Sequence, residues 1–333
     1  MEVEKPLRGQ VHTPLPFDPE LAVALKAIAP QIPVFDSLSS IERGRKYSLT
    51  PSALDLTRDG LYRVEERKIK GLVGAPDISL LLCLPVEQTA DAPLFYYIHG
   101  GGTISGDNRN GIEAALEMAA RFGAPLVSVE YRLAPETLYP GPVSDCYAGL
   151  AWVSEQAREL GSDPCRIVVT GASAGGGLAA ATCLLARDHG GPAIAAQLLM
   201  YPMLDDRNDS ISAFQMEGRG VWDRVSNHTG WTALPGSSRG AANVSAYAAP
   251  VRATDLSHLP PTLIDVGSAE TFRDEAVSYA NQIWYAGGEC ELHVWPGGFH
   301  GYDSFVPDAA LSRDTRNARI RWLVRVLGHR QSC

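Results

Sequence analysis

Arg166-Ile167-Val168-Val169-Thr170-Gly171-Ala172-Ser173-Ala174-Gly175 decides the reading of this chain. The apolar run has the texture of a buried strand, and the Ala-rich stretch that follows has the texture of a helix. Gly-x-Ser-x-Gly sits between them. A serine on a sharp strand-to-helix turn is lifted out of the sheet, and small neighbours let the backbone fold tightly around it. The helix N-terminus behind the turn favours developing negative charge. Ser173 is therefore the expected nucleophile.

The strand before Ser173 is one of a series. Ile78 to Leu84, Leu94 to Ile98, Leu126 to Glu130, Gln197 to Met200, Thr262 to Val266 and Glu291 to Trp295 are further short apolar runs. Helical patterns fall between most of them: Gly111 to Phe122, Val143 to Leu160, Leu178 to Asp188, Thr271 to Ala286 and Ala309 to Leu327. Strands apolar on both faces and alternating with helices indicate a doubly wound α/β architecture, a parallel sheet covered on both sides. Residues 1–75 are rich in Pro and charge, with amphipathic pieces such as Pro19 to Ala29 but no strong strand, and read as the N-terminal part of a cap. Residues 76–204 and 257–333 read as the core. The alternation lapses over residues 205–256, around Trp222 and Trp231, and a segment that long without sheet texture is usually functional. It reads as the second part of the cap.

Composition narrows the function classes. The chain has 333 residues, enough for one large α/β domain or two small ones, and 45% of them are hydrophobic, ample for a buried core. A net charge of −9 without a basic cluster argues against nucleic acid or anionic membrane as partner and for a neutral substrate. No apolar run approaches a membrane span, so no membrane insertion is expected, and the N-terminus lacks the pattern of a signal peptide, which points to the cytoplasm. Cys83, Cys146, Cys165, Cys183, Cys290 and Cys333 are scattered without metal-type pairing and read as free, mostly buried thiols, with no metal site.

An activated serine needs a base and a group that orients the base. Of the eight histidines, His300 fits best, in a Gly-rich loop directly after the last apolar strand. His258, ahead of the penultimate strand, is a weaker rival, and His189, His228 and His293 have no such setting. The acid belongs just past Thr262 to Val266, where Glu270 stands. Asp274 is the second candidate, although a carboxylate in the first turn of a helix already has a structural use. Asp265, inside the strand, should point into the core. His99-Gly100-Gly101-Gly102 follows the strand ending at Ile98, the position from which a Gly-rich loop supplies oxyanion donors. The expected donors are the amides of Gly101, Gly102 and Ala174, with Gly100 shaping the loop and His99 tying it down. One such donor is worth about 3 to 4 kcal/mol.

With these residues in place, the chain from about Ala92 to Leu327 resembles the hormone-sensitive-lipase-like family of α/β-hydrolases, the bacterial-type family IV esterases. The resemblance rests on His99 to Gly102, Glu130-Tyr131-Arg132-Leu133-Ala134-Pro135-Glu136 with Tyr139-Pro140 and Asp145, Gly171 to Gly176, Leu259-Pro260-Pro261, Arg273-Asp274-Glu275 and Gly298-Phe299-His300-Gly301. It implies an α/β-hydrolase fold: a mostly parallel eight-stranded sheet with helices on both faces and a helical cap. It also implies cofactor-free cleavage of small-molecule carboxylic esters of short to medium acyl chain. Family members often form dimers, so a homodimer is one state the resemblance allows. Three positions depart from the pattern. Glu270 stands where Asp is usual and is followed by Thr271 in place of Pro; Thr103 replaces a bulky residue, which would widen the acyl side of the pocket; Ala172 replaces Asp. Trp222 and Trp231 are further candidate pocket residues.

Two other readings remain at this stage. One is a specialised lactone or amide hydrolase, or a dehydratase, of secondary metabolism. The other is a non-catalytic small-molecule receptor of the gibberellin-receptor type, which the presence of His300 disfavours.

Overall fold

The structure, a computed structural model, describes residues 12–46, 54–87, 89 and 91–328. The seven apolar runs form strands, and an eighth precedes them: β1 (Tyr62–Ile69), β2 (Ile78–Pro85), β3 (Ala92–Ile98), β4 (Leu126–Glu130), β5 (Ser162–Ala172), β6 (Ala196–Met200), β7 (Thr262–Gly267) and β8 (Cys290–Trp295). They make one sheet in the order β1-β2-β4-β3-β5-β6-β7-β8. The pairs β1/β2 and β2/β4 are antiparallel and the remaining pairs are parallel. Every residue of β3 and β6 is buried, as expected of strands covered on both faces. The chain leaves β3 for β4 on one side and returns to β5 on the other. The loops that leave the C-terminal ends of β3 and β5 therefore face each other across a crevice, where open α/β sheets bind ligands.

The strand β1 falls within residues 1–75, where no strong strand was expected, so the sheet starts inside the segment assigned to the cap. Its sequence, Tyr-Arg-Val-Glu-Glu-Arg-Lys-Ile, carries no apolar alternation because it lies at the sheet edge with only Tyr62 and Ile69 buried. Charges on an edge strand cost little and discourage pairing with another chain.

Helices Ile112–Arg121 and Ala310–Gly328 pack together, as do Gly141–Gln156 and Ala174–Asp188, and helices cover both faces of the sheet. At the N-terminal end, Asp18 accepts hydrogen bonds from the Glu20 and Leu21 amides at 2.9 and 3.1 Å, capping the helix Pro19–Ile28. This helix buries Leu21 and Leu25 against Phe299 and Tyr302. Residues 205–256 contribute the helices Ile211–Gln215 and Arg224–Ala233. A second apolar cluster joins Phe35, Ile41, Ile104, Trp222, Trp231 and Phe272, drawn from both segments and from loops at the crevice.

Cys83, Cys146, Cys183 and Cys290 are free, whereas Cys165 is disulfide-bonded, which corrects its reading as a free thiol. Cys333 lies outside the described residues. No helix among the described residues is long and apolar enough to cross a membrane.

Asp265 does point inward. Its carboxylate pairs with Arg319 of the C-terminal helix, whose Nη1 also donates to Asp303 at 2.5 Å, and all three side chains are buried. Arg319→Met would leave two carboxylates without their cation. Losing one member of a buried ionic cluster costs about 3 to 5 kcal/mol, so urea denaturation of the variant should show a stability loss of that size. A loss below about 1 kcal/mol would mean that water or another cation serves these carboxylates.

Candidate active site

Ser173 leaves β5 with φ 59° and ψ −122°, a conformation that L-residues rarely adopt. Three backbone bonds hold it there. Its amide donates to the Met200 carbonyl at 2.9 Å, and its carbonyl accepts from Gly177 and Met203 at 3.1 and 3.0 Å. Absent side chains make the turn possible. A Cβ on Gly171 would stand 2.2 Å from the Gly175 carbonyl oxygen, and one on Gly175 would stand 2.0 Å from that of Ile98. The end of β3 thus lies in backbone contact with the turn that carries Ser173.

The loop leaving β3 runs His99, Gly100, Gly101, Gly102, Thr103. Gly101, Gly102 and Thr103 all have positive φ, 108°, 63° and 62°. Tyr131 anchors the loop, with its hydroxyl donating to the His99 carbonyl at 3.0 Å and its ring stacked on the imidazole at 4.1 Å. His99 Nδ1 donates to the Gly100 carbonyl at 2.8 Å, and burial pushes the imidazole pKa down to about 4. His99 therefore stays neutral and holds the loop. Thr103 spends its hydroxyl on the Gly102 carbonyl at 2.6 Å. The Trp222 ring covers Gly102, since a Cβ there would meet Trp222 Cη2 at 2.2 Å. Among the described residues, the amides of Gly101, Gly102 and Ala174 have no hydrogen-bond acceptor.

His300 completes the arrangement. Its Nε2 is 2.9 Å from Ser173 Oγ, and its Nδ1 is 3.2 Å from Glu270 Oε1. Glu270 Oε2 accepts the Gly267 amide at 3.2 Å, which fixes the carboxylate. Tyr201 and Phe272 present ring edges to the imidazole at 5.0 and 5.1 Å, and all three polar side chains are buried. The hydroxyl proton can pass to Nε2 while Glu270 faces the charge that develops on the ring.

The other sequence candidates lie elsewhere. Asp274 accepts the Ser212 amide at 2.7 Å and the Arg273 guanidinium at 2.8 Å, away from the imidazole. His189, His228 and His258 are exposed, and His293 stacks on Trp295. Trp231 is buried in the apolar cluster shared with Trp222, Ile104 and Ala174. Residue-by-residue reading did not foresee the anchoring by Tyr131, although the tyrosine directly after β4 was the signal. Tyr201 and Phe272 gave none, because aromatic residues near strand ends are usually core. Among the described residues no group of three or more His, Cys, Asp or Glu is placed to hold a metal ion.

This geometry defines a serine hydrolase on an α/β sheet, and relatives agree. A family profile described as alpha/beta hydrolase fold matches residues 95–304. Carboxylesterase NlhH of Mycobacterium tuberculosis is 35% identical, over 88% of this chain and 92% of its own length. Esterase LipI of the same organism is 32% identical over 88% and 91%. Among solved structures, a bacterial heroin esterase superposes with a TM-score of 0.86 at 37% identity, covering 93% of this chain and 98% of that one. Esterase LipW from Mycobacterium marinum gives 0.78 at 30%, covering 94% and 98%. The chain belongs to the hormone-sensitive-lipase-like family of α/β-hydrolases.

Beneath the site, Glu275 is buried with Oε1 accepting the Leu204 amide at 2.6 Å. Burial, reinforced by the charge of Asp205, raises its carboxyl well above the ordinary value of 4.5. The folded state therefore binds a proton that the unfolded chain releases, and stability falls as pH rises above the unfolded value. Glu275→Gln removes that dependence while keeping an acceptor for Leu204. Thermal denaturation should find the variant more stable than the parent at about pH 8, with the gain gone below about pH 4.5. A variant less stable at every pH would show that the carboxylate form is the one the fold needs.

Proposed function

We propose that Ser173, His300 and Glu270 carry out ester hydrolysis in this carboxylesterase-family enzyme, with the amides of Gly101, Gly102 and Ala174 as the oxyanion hole. The observation that carries this reading is the continuous relay from Ser173 Oγ to Nε2 and from Nδ1 to Glu270, at 2.9 and 3.2 Å, beside three amides without acceptors. Ser173 Oγ attacks the ester carbonyl carbon while Nε2 takes the hydroxyl proton, and the carbonyl electron pair becomes an oxyanion facing those amides. Collapse of the tetrahedral intermediate breaks the bond to the alcohol, which leaves with the proton from Nε2. A water then gives its proton to the same nitrogen and attacks the acyl carbon, and collapse of the second oxyanion breaks the bond to Ser173 Oγ, which takes the proton back from Nε2 as the acid leaves. No metal or cofactor enters these steps.

The substrate in this reading is a neutral small-molecule ester of short to medium acyl chain. Its support is the net charge of −9 without a basic cluster and the apolar cluster that Trp222, Ile104 and Phe272 form with Ala174, next to Ser173. A panel of p-nitrophenyl esters of increasing acyl length should therefore show a maximum among short to medium chains.

Ser173→Ala should abolish hydrolysis with the fold intact, and retained turnover would remove Ser173 from the mechanism. Glu270→Gln should lose on the order of several hundred to ten thousandfold in kcat, because the amide stabilises the wrong tautomer and cannot balance the imidazolium. Asp274→Asn should keep kcat near that of the parent. Reversed effects in this pair would place the acid at Asp274.

A further inference from the structure

Gly101, Gly102 and Thr103 all stand at positive φ, which the glycines adopt freely, but Thr103 is β-branched, the residue type least tolerant of that region. Such backbone persists only when its surroundings over-determine it. On the side facing the sheet, Tyr131 does so. On the outer side, Arg45 of the N-terminal segment reaches the loop. Arg45 Nε donates to the Ile104 carbonyl at 2.6 Å, and Arg45 Nη2 donates to the Ala134 carbonyl at 2.7 Å. The Ala134 amide in turn donates to the Thr103 carbonyl at 2.9 Å. Thr103, Ile104, Arg45 and Ala134 thus form a closed ring of bonds around the strained residue. Glu136 aims the guanidinium, with both oxygens 2.8 Å from Nη1 and Nη2.

We propose that Arg45 is a positioning residue for ester hydrolysis, which locks the oxyanion loop from outside and leaves the Gly101 and Gly102 amides aimed before substrate arrives. This inference rests on the oxyanion-hole reading above. Arg45 touches no reacting group; it acts through the carbonyls of Ile104 and Ala134. A lysine cannot replace it fully, because one ammonium cannot serve two carbonyls and a carboxylate in a fixed fork. The stabilisation it supplies is needed most in the tetrahedral state, when the amides bear a full negative charge, so its loss belongs in kcat.

The test compares Arg45→Met, Arg45→Lys and Glu136→Gln with the parent. Misplacement of about 1 Å at a reacting centre costs up to about a hundredfold, so Arg45→Met should lower kcat about ten- to a hundredfold with KM changed less than about threefold. Arg45→Lys should recover part of the loss, and Glu136→Gln, which keeps both carbonyl contacts, should lose least. The rate at which a fluorophosphonate labels Ser173, read by mass spectrometry, should fall in the same order, because phosphonylation also builds negative oxygen in the hole. Equal kcat and labelling rates in all three variants, even with lowered thermal stability, would overturn the inference and leave Arg45 a structural tie. If Arg45→Met does not fold, the Glu136→Gln and Arg45→Lys pair carries the comparison alone. Failure of the parent to label at Ser173 would count against the nucleophile, a result distinct from failure of the Arg45 series.

Discussion

Backbone meets backbone where side chains are missing, and the site depends on that contact. Gly175 lies so close to the end of β3 that a Cβ would stand 2.0 Å from the Ile98 carbonyl oxygen and 2.4 Å from that of His99. Gly100 approaches Ala172 from the other side, with its would-be Cβ 3.0 Å from the Ala172 carbonyl oxygen. One methyl group at either position would push the Gly-rich loop away from the serine turn. Adjacent parallel strands already place the two loops at the same crevice; the glycines close the remaining gap. Everything polar at the site is arranged around this junction, because Ala174 sits on one side of it and Gly101 and Gly102 on the other.

Both segments outside the regular α/β alternation press on that junction. The helix Pro19–Ile28 packs Leu21 and Leu25 against Phe299, directly before His300, and Tyr302, two residues after it. The Asp18 amide donates to the Gly297 carbonyl at 3.0 Å, in the same loop. From residues 205–256, Trp222 lies on Gly102, and its own carbonyl accepts from Thr271 Oγ1 at 2.7 Å, one residue after Glu270. These contacts bind the serine turn, the imidazole loop and the acid loop into one packed unit. Loops held this way arrive at the reaction with their geometry already set, which is where much of the rate enhancement of acyl-transfer enzymes resides.

The sequence exposed the parts whose physics is local. Strands buried on both faces announce themselves as continuous apolar runs, and seven of eight were legible with edges within a few residues. The exception, β1, is charged because it is an edge. Ser173 and His300 were legible because a tight turn restricts which residues can surround it. Distance past the strand and the place of Asp274 at a helix start favoured Glu270 as the neighbour of His300, where it stands, but the contact that occupies Asp274 lies with Ser212, 62 residues earlier. Arg45 was invisible for the same cause: its acceptors are main-chain carbonyls 59 and 89 residues away, which leave no mark in side-chain pattern. Cys165 matched the other cysteines in setting, and spacing along a chain does not show which thiols meet in space.

The account rests on an oxyanion hole that is built before substrate binds. A crystal structure of the Ser173 adduct with a small alkyl boronic acid or phosphonate tests that most directly, since one of its oxygens stands where the oxyanion would form. The account predicts that oxygen within about 2.7 to 3.1 Å of the amide nitrogens of Gly101, Gly102 and Ala174, with the loop backbone unmoved from its present φ values. An adduct oxygen turned toward solvent, or one bound only after the His99 to Thr103 loop rearranges, would contradict it.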